Sequence, residues 1–126
     1  MTTMKTLVVA EPRQMVWQQR AKPTPAAHDV LIKPIAAGIC GTDIHAWAGN
    51  QPFFSYPRVL GHELCGEVVE IGSQASGFRL GQRVALIPYV ACQQCDACLS
   101  GKTNCCENIS VIGVHQDGGF CEFLSV

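Results

Sequence analysis

Apolar and polar positions alternate over several short stretches of this chain, and glycine or proline closes most of them. Leu7–Ala10 and Val16–Arg20 are β-prone runs separated by Glu11-Pro12-Arg13, a turn signal. The longer run 29–39, DVLIKPIAAGI, has period-two character, but Pro34 inside it cannot donate to a ladder. That predicts a strand at a sheet edge or bulged at the proline. Leu64–Ile71 and Val84–Val90 also read as strands, joined by the glycine-punctuated GSQASGFRLG, and GGFCEFLSV (118–126) alternates as a final strand. Thr42 or Asp43 is positioned to cap a short helix through Ala46-Trp47-Ala48 that Gly49 ends. Lys22-Pro23-Thr24-Pro25 and QPFFSYPR (51–58) are loops. Many short strands with Gly/Pro turns and little helix predict a mainly β, barrel-like fold.

A length of 126 residues suits one compact domain that buries roughly two-thirds of its unfolded surface. With 15% charged residues and a net charge of −1, nothing draws the chain to nucleic acid or to an anionic membrane. The longest apolar stretch, VALIPYVAC, is interrupted by Pro88 and falls well short of the ~20 residues that span a bilayer. MTTMKTLVVAEPR has no continuous apolar segment followed by a cleavage site, so no export signal is expected. Eight cysteines form an even set, as in a secreted disulfide scaffold. The lack of an export signal, the concentration of thiols in one short segment and a size that needs no staples favour reduced, metal-bound cysteines. A cytoplasmic location follows as an expectation.

Most of the thiols fall in one cluster. Cys92, Cys95 and Cys98, with one of the adjacent pair Cys105 and Cys106, make a C-x2-C-x2-C run closed by a short loop. Four thiolates complete a tetrahedral zinc shell, which holds structure and leaves no position for chemistry. Spacing alone does not choose between Cys105 and Cys106. An iron–sulfur cluster is the sharper competitor, but its bacterial motif places the next cysteine after three residues with a proline behind it, and neither holds here. Cys65 and Cys121 lie in strand-like apolar surroundings and read as buried small hydrophobes.

A second group is of another kind. Cys40 lies in GICGTDIH, and His62-Glu63 lies in VLGHE. Thiolate, imidazole and carboxylate donors, fewer than a full shell, leave a metal open to water or substrate. Gly38 and Gly41 bracket Cys40 and Gly61 precedes His62, which predicts sharp turns close to an ion. Thr42, Asp43 and His45 add a hydroxyl, a carboxylate and an imidazole, groups that orient ligands and pass protons. In the blander alternative, His45 is a surface residue and Asp43 a helix cap.

Taken in order, GICGTDIH, GHELCGEVVEIG, the cysteine run and GGFCEF resemble the N-terminal domain of zinc-dependent medium-chain alcohol dehydrogenases. The resemblance runs from about Met4 to the end and is closest to the polyol, threonine and sugar-acid branch, where the motif reads CGTD-x-H. It implies a GroES-like, partly open β-barrel over residues 1–126, with short helices and a protruding structural-zinc lobe at about 90–110. It implies that Cys40, His62 and Glu63 hold a catalytic zinc, with Glu63 either coordinating directly or giving way to water. Thr42 would sit beside the substrate hydroxyl, and His45 would continue the proton path to solvent. The family's asparagine-x-cysteine ending, matched by Asn104-Cys105-Cys106, makes Cys106 the fourth structural ligand and leaves Cys105 a spare thiol.

The activity so implied is NAD(P)-dependent oxidation of a secondary alcohol to a ketone by a homo-oligomeric enzyme acting on a small-molecule alcohol. The loop AWAGNQPFFSYPRVLGHE and the segment from PYVACQQC to VIGVHQDGGF are most similar to the sugar-acid members, so an aldonate such as L-galactonate is the expected substrate. Asn50, Phe53, Phe54 and Tyr56 are expected to border the pocket. Arg58 reads either as a partner for a substrate carboxylate or as an ordinary surface arginine. No G-x-G-x-x-G fingerprint follows a strand here, so the dinucleotide would bind a domain outside these residues, and the chain by itself is expected to be inactive. A non-enzymatic zinc-stabilised binding module is the alternative, but it leaves Cys40, Thr42, His45, His62 and Glu63 without a role.

Overall fold

Nine strands and two short helices make up the computed structural model, which describes Met1–Val126. Strands β1 (Thr3–Glu11) and β2 (Gln14–Ala21) form an antiparallel hairpin. Its turn uses Arg13 at φ 65°, a left-handed conformation that closes the hairpin behind Pro12. β4 (Arg58–Val59) pairs on the other edge of β1. β3 (Val30–Ala37), β5 (Leu64–Ile71), β6 (Arg83–Ala85) and β9 (Leu124–Ser125) form a second sheet in the order β6-β5-β3-β9. β7 (Tyr89–Val90) and β8 (Ser110–Val111) make a small third sheet beneath the cysteine lobe.

The segment before β9 joins the first two sheets. Thr6 bridges Cys121, and the Leu7 N–H donates to Phe120 O at 2.9 Å. The same chain then continues into β9, which pairs with β3. One corner is thereby closed and the rest left open, the partly open barrel that the resemblance implies. β1, helix α1 (Gly41–Ala48) and the residue that follows β4 meet in a core of Val9, Ala46 and Leu60. Val30, Ile32 and Val68 fill the space across β3 and β5, and Leu64, Ile112 and Leu124 fill it near the lobe.

Several expectations are corrected by the pairing. Pro34 does mark a bulge, because the register slips between Pro34 and Ala36 opposite Gly66 and Cys65. β3 is nonetheless an inner strand, since β9 pairs with its first half at Leu31 and Ile32 and leaves the proline side free. The run 84–90 is two strands, broken around Pro88. The final strand is confined to Leu124–Ser125, because Gly118–Phe120 bond to Val59, Leu60 and Gly61 instead. Cys65 is exposed and Cys121 half-buried. β5 turns Leu64, Gly66 and Val68 inward, so the intervening Cys65 must face out. Finally, the α1 cap is Cys40, two residues ahead of Thr42.

Candidate metal centres

The four-cysteine lobe is assembled by local turns. Gln93 adopts φ 62°, which folds Cys92 back towards Cys95, and Cys95 caps the one-turn helix α2 (Asp96–Leu99) that carries Cys98 inward. Gly101 at φ 76° reverses the chain, and a 3-10 turn at Thr103–Cys105 delivers Cys106. The sulfurs of Cys92, Cys95, Cys98 and Cys106 lie within 4.8 Å of one another, and Cys92 Sγ is 4.0 Å from Cys98 Sγ. Four sulfurs about 2.3 Å from one zinc would sit about 3.8 Å apart, so the observed spacing fits that ion. Cys105 points outward, exposed.

Backbone N–H groups already face these sulfurs. The Cys95 N–H donates to Cys92 Sγ at 3.4 Å and the Cys92 N–H to Cys106 Sγ at 3.3 Å. Donation by the N–H groups of Gln94, then of Cys95, pulls the Cys92 thiol down to about 6. The Cys95 thiol is lowered by the N–H groups of Cys98 and Glu107. Burial, reinforced by the adjoining Cys95 thiol, pushes Cys98 up to about 12. A nest of thiols that favours one anion and opposes the next is a site that a divalent cation would complete.

At the other centre, donor atoms of Cys40, His62 and Glu63 also lie within 4.8 Å of one another. Cys40 caps α1, and Glu63 immediately precedes β5. The Gly38 N–H donates to Glu63 O at 2.7 Å, tying the end of β3 to the start of β5 and bringing the two motifs together. Asp43, 4% exposed, reaches back so that its Oδ2 accepts the Cys40 N–H at 2.9 Å. Its Oδ1 lies 3.6 Å from His62 Nδ1, and neither atom has a hydrogen-bond partner. Thr42 Oγ1 is likewise buried and unpartnered. His45 is exposed on α1, one turn beyond Thr42. Glu63 is exposed, so the group opens towards solvent.

Of the three glycines expected to turn sharply here, only Gly61 does so, at φ 98°. A Cβ there would meet the Phe120 ring at 2.6 Å. The strap Gly118–Phe120 crosses directly over it. Gly118 N–H donates to Val59 O, Gly119 N–H to Gly61 O and Phe120 N–H to Leu60 O, at 2.8 to 3.0 Å. A Cβ on Gly118 would lie 2.3 Å from Gly61 O, which is why the strap carries glycine.

Two groups are assigned differently by the structure than by the sequence. Arg58 does not face the Cys40 group: its Nη1 lies 3.5 Å from Asp117 Oδ1 and its Nη2 donates to Ser55 Oγ at 3.0 Å. Asp117, which the sequence did not single out, also accepts from Val59 N–H at 2.9 Å and pairs with Arg20 at 2.8 Å. It anchors the strap to β2 and β4. In the loop 50–56, Tyr56 Oη donates to Ala46 O and Phe54 packs on the Val9–Ala46–Leu60 core, so both brace α1. Asn50 N–H donates to His45 O at the helix end, and Phe53 projects, 71% exposed.

Both groups therefore fit divalent cations by donor chemistry. The lobe offers four clustered sulfurs supported by N–H groups. The Cys40 group offers sulfur, imidazole and carboxylate beside two unpartnered buried polar atoms.

Residues 26–126 match the alcohol dehydrogenase GroES-like domain family. The chain is 65% identical over 126 residues to L-galactonate-5-dehydrogenase of Escherichia coli K12, covering 100% of this chain and 37% of that protein. Among solved structures, a putative zinc-binding dehydrogenase from Sinorhizobium meliloti bound to NADP superposes with a TM-score of 0.93 at 38% identity, covering 100% of this chain and 36% of the other. An alcohol dehydrogenase from Escherichia coli CFT073 complexed with NADH gives 0.91 at 43% identity, with coverages of 98% and 36%. The chain thus spans a little over a third of the length of these proteins.

Proposed function

This chain belongs to the alcohol dehydrogenase GroES-like family of the zinc-dependent medium-chain dehydrogenases, and from that premise we propose that residues 1–126 are the catalytic-domain part of an NAD(P)-dependent oxidoreductase. It oxidises a secondary alcohol of a sugar acid or polyol to a ketone. L-Galactonate is the substrate we favour, on the 65% identity to L-galactonate-5-dehydrogenase. The observation that carries the reading is the convergence of Cys40, His62 and Glu63, from separate segments, beside the buried Asp43 carboxylate.

Cys40, His62 and Glu63 would hold a catalytic zinc, and Cys92, Cys95, Cys98 and Cys106 a structural one. Bound there, the catalytic zinc supplies Lewis-acid polarisation of an alcohol oxygen, while NAD or NADP supplies the hydride acceptor. The chain's own groups do the rest. Asp43 accepts the Cys40 N–H with one oxygen and faces the His62 ring across 3.6 Å with the other, so a single carboxylate would orient both the sulfur-bearing turn and the imidazole. Thr42 Oγ1, buried and without a hydrogen-bond partner in this chain, would accept the substrate hydroxyl proton as it hands on its own, so no charge stays on that oxygen. His45 is three residues on and therefore on the same helix face, and its exposed imidazole is placed to pass a proton on to solvent.

No helix here is long and apolar enough to cross a membrane. The cytoplasm is the setting we propose, because thiols gathered at zinc-ligand spacing need a reducing compartment. The enzyme would act on a small-molecule alcohol, as a homo-oligomer and without nucleic-acid or membrane partners. The dinucleotide would bind outside residues 1–126, so the chain alone would not turn over. The test is an assay with L-galactonate, polyols and threonine plus NAD or NADP, run on this chain and on a fusion to the remaining two-thirds of its 65%-identical relative. Turnover of L-galactonate by the fusion alone is expected. Turnover by the chain alone, or a fusion with two bound zincs that oxidises none of these alcohols, would overturn the reading.

A further inference from the structure

Gly38 is not in a left-handed conformation; the positive-φ glycines are Gly49, Gly61, Gly77, Gly81, Gly101 and Gly113. Its backbone would accept any L-residue, so flexibility does not explain a glycine here. Space does. A Cβ at Gly38 would lie 3.0 Å from Glu63 Oε2 and 3.4 Å from Glu63 Cβ. Nor can the backbone back away, since the Gly38 N–H is bonded to Glu63 O at 2.7 Å and the neighbouring Ala37 is in register with Leu64. Any side chain at 38 must therefore be accommodated by moving the carboxylate. Gly41, on the other side of Cys40, differs: a Cβ there meets nothing within 4 Å.

We propose that Gly38 is a positioning residue whose missing side chain seats the Glu63 carboxylate within reach of the ion held by Cys40 and His62. This rests on the metal reading above and deepens it: whether Glu63 coordinates directly or yields to water is set by the room beside β3. Because a Cβ displaces the carboxylate by only a few tenths of an ångström, alanine at 38 perturbs one donor and leaves the fold intact. Larger side chains displace it further.

Cobalt(II) titration of the full chain, followed by its visible d–d bands, tests this with four variants: Gly38→Ala, Gly41→Ala, Glu63→Ala and the Gly38→Ala/Glu63→Ala double variant. The wild type is expected to take up two ions, one of them in the four-cysteine lobe. Gly38→Ala should weaken the second ion by about tenfold, the lower end of the effect of disturbing a ligand's support, and shift its bands. Gly41→Ala should match the wild type. In the Glu63→Ala background, adding Gly38→Ala should change neither affinity nor spectrum, because the group it displaces is gone. Retention of the lobe ion and an unchanged thermal transition verify the fold. Wild-type behaviour of Gly38→Ala, or an equal loss in the Glu63→Ala background, overturns the inference while the metal reading stands. Uptake of a single ion by the wild type overturns the metal reading, and this inference with it.

Discussion

Asp43 faces His62 across 3.6 Å, carboxylate oxygen to ring Nδ1, with both atoms buried and neither otherwise bonded. The other oxygen of the same carboxylate accepts the Cys40 N–H. One side chain thus spans the two sequence motifs that converge at this centre. Because Nδ1 is turned to Asp43, Nε2 is the ring nitrogen left for an ion.

Asp43→Asn keeps an oxygen for the Cys40 N–H but loses the charge beside His62. The expected outcome is a 10–100-fold weaker hold on the ion at Cys40 and His62, with the lobe ion unaffected. Competition with a chelator, read as zinc per chain, checks it. Equal loss from both centres would point to general destabilisation instead.

Cys105 and Cys106 are neighbours in sequence but face opposite ways, Cys106 being 6% exposed and Cys105 out in solvent. Cys106→Ser should abolish zinc retention by the lobe and lower the thermal transition, since metal binding there is coupled to folding. Cys105→Ser should do neither. Zinc content and melting of the two variants decide the matter.

Burial pushes the Cys121 thiol from 9.0 up to about 11, outweighing the Phe123 N–H that favours its anion. A raised value means less thiolate at any given pH. At pH 9 the thiolate fraction falls from about half to about 1%, so alkylation should be about 50-fold slower than for an ordinary exposed thiol. The rate should keep climbing until pH passes about 11. Mass mapping after timed iodoacetamide treatment would show Cys65 and Cys105 labelled long before Cys121; simultaneous labelling would contradict the burial argument.

Local chemistry made part of this molecule legible. Leu64–Ile71 is a strand with the bounds its alternation predicts, Pro34 marks a bulge, and Gly49 ends α1 in a left-handed conformation. The spacing of Cys92, Cys95 and Cys98 names residues that do cluster. What stayed hidden has a common cause. The αL turn at Gln93, the two-residue strands β4 and β8, and the cap at Cys40 carry no strong local propensity, so tertiary contacts decide them. Asp117 was missed because a carboxylate in a loop looks like any other until Arg20, Arg58 and Val59 surround it. Arg58 and Tyr56 looked available for a substrate for the same reason.

Residue types and spacings alone determined which chemistry the chain can carry: two sets of metal-type donors, one all sulfur and one mixed, on a β framework with glycine turns. They did so because donor identity and turn propensity are properties of single residues and near neighbours. The tertiary structure decided which oxygen faces which nitrogen, which of two adjacent thiols points inward, and that a side chain at residue 38 would press on the Glu63 carboxylate. Those depend on β3 meeting β5 and on the glycine strap crossing Gly61, approaches between segments more than twenty residues apart that no local pattern encodes.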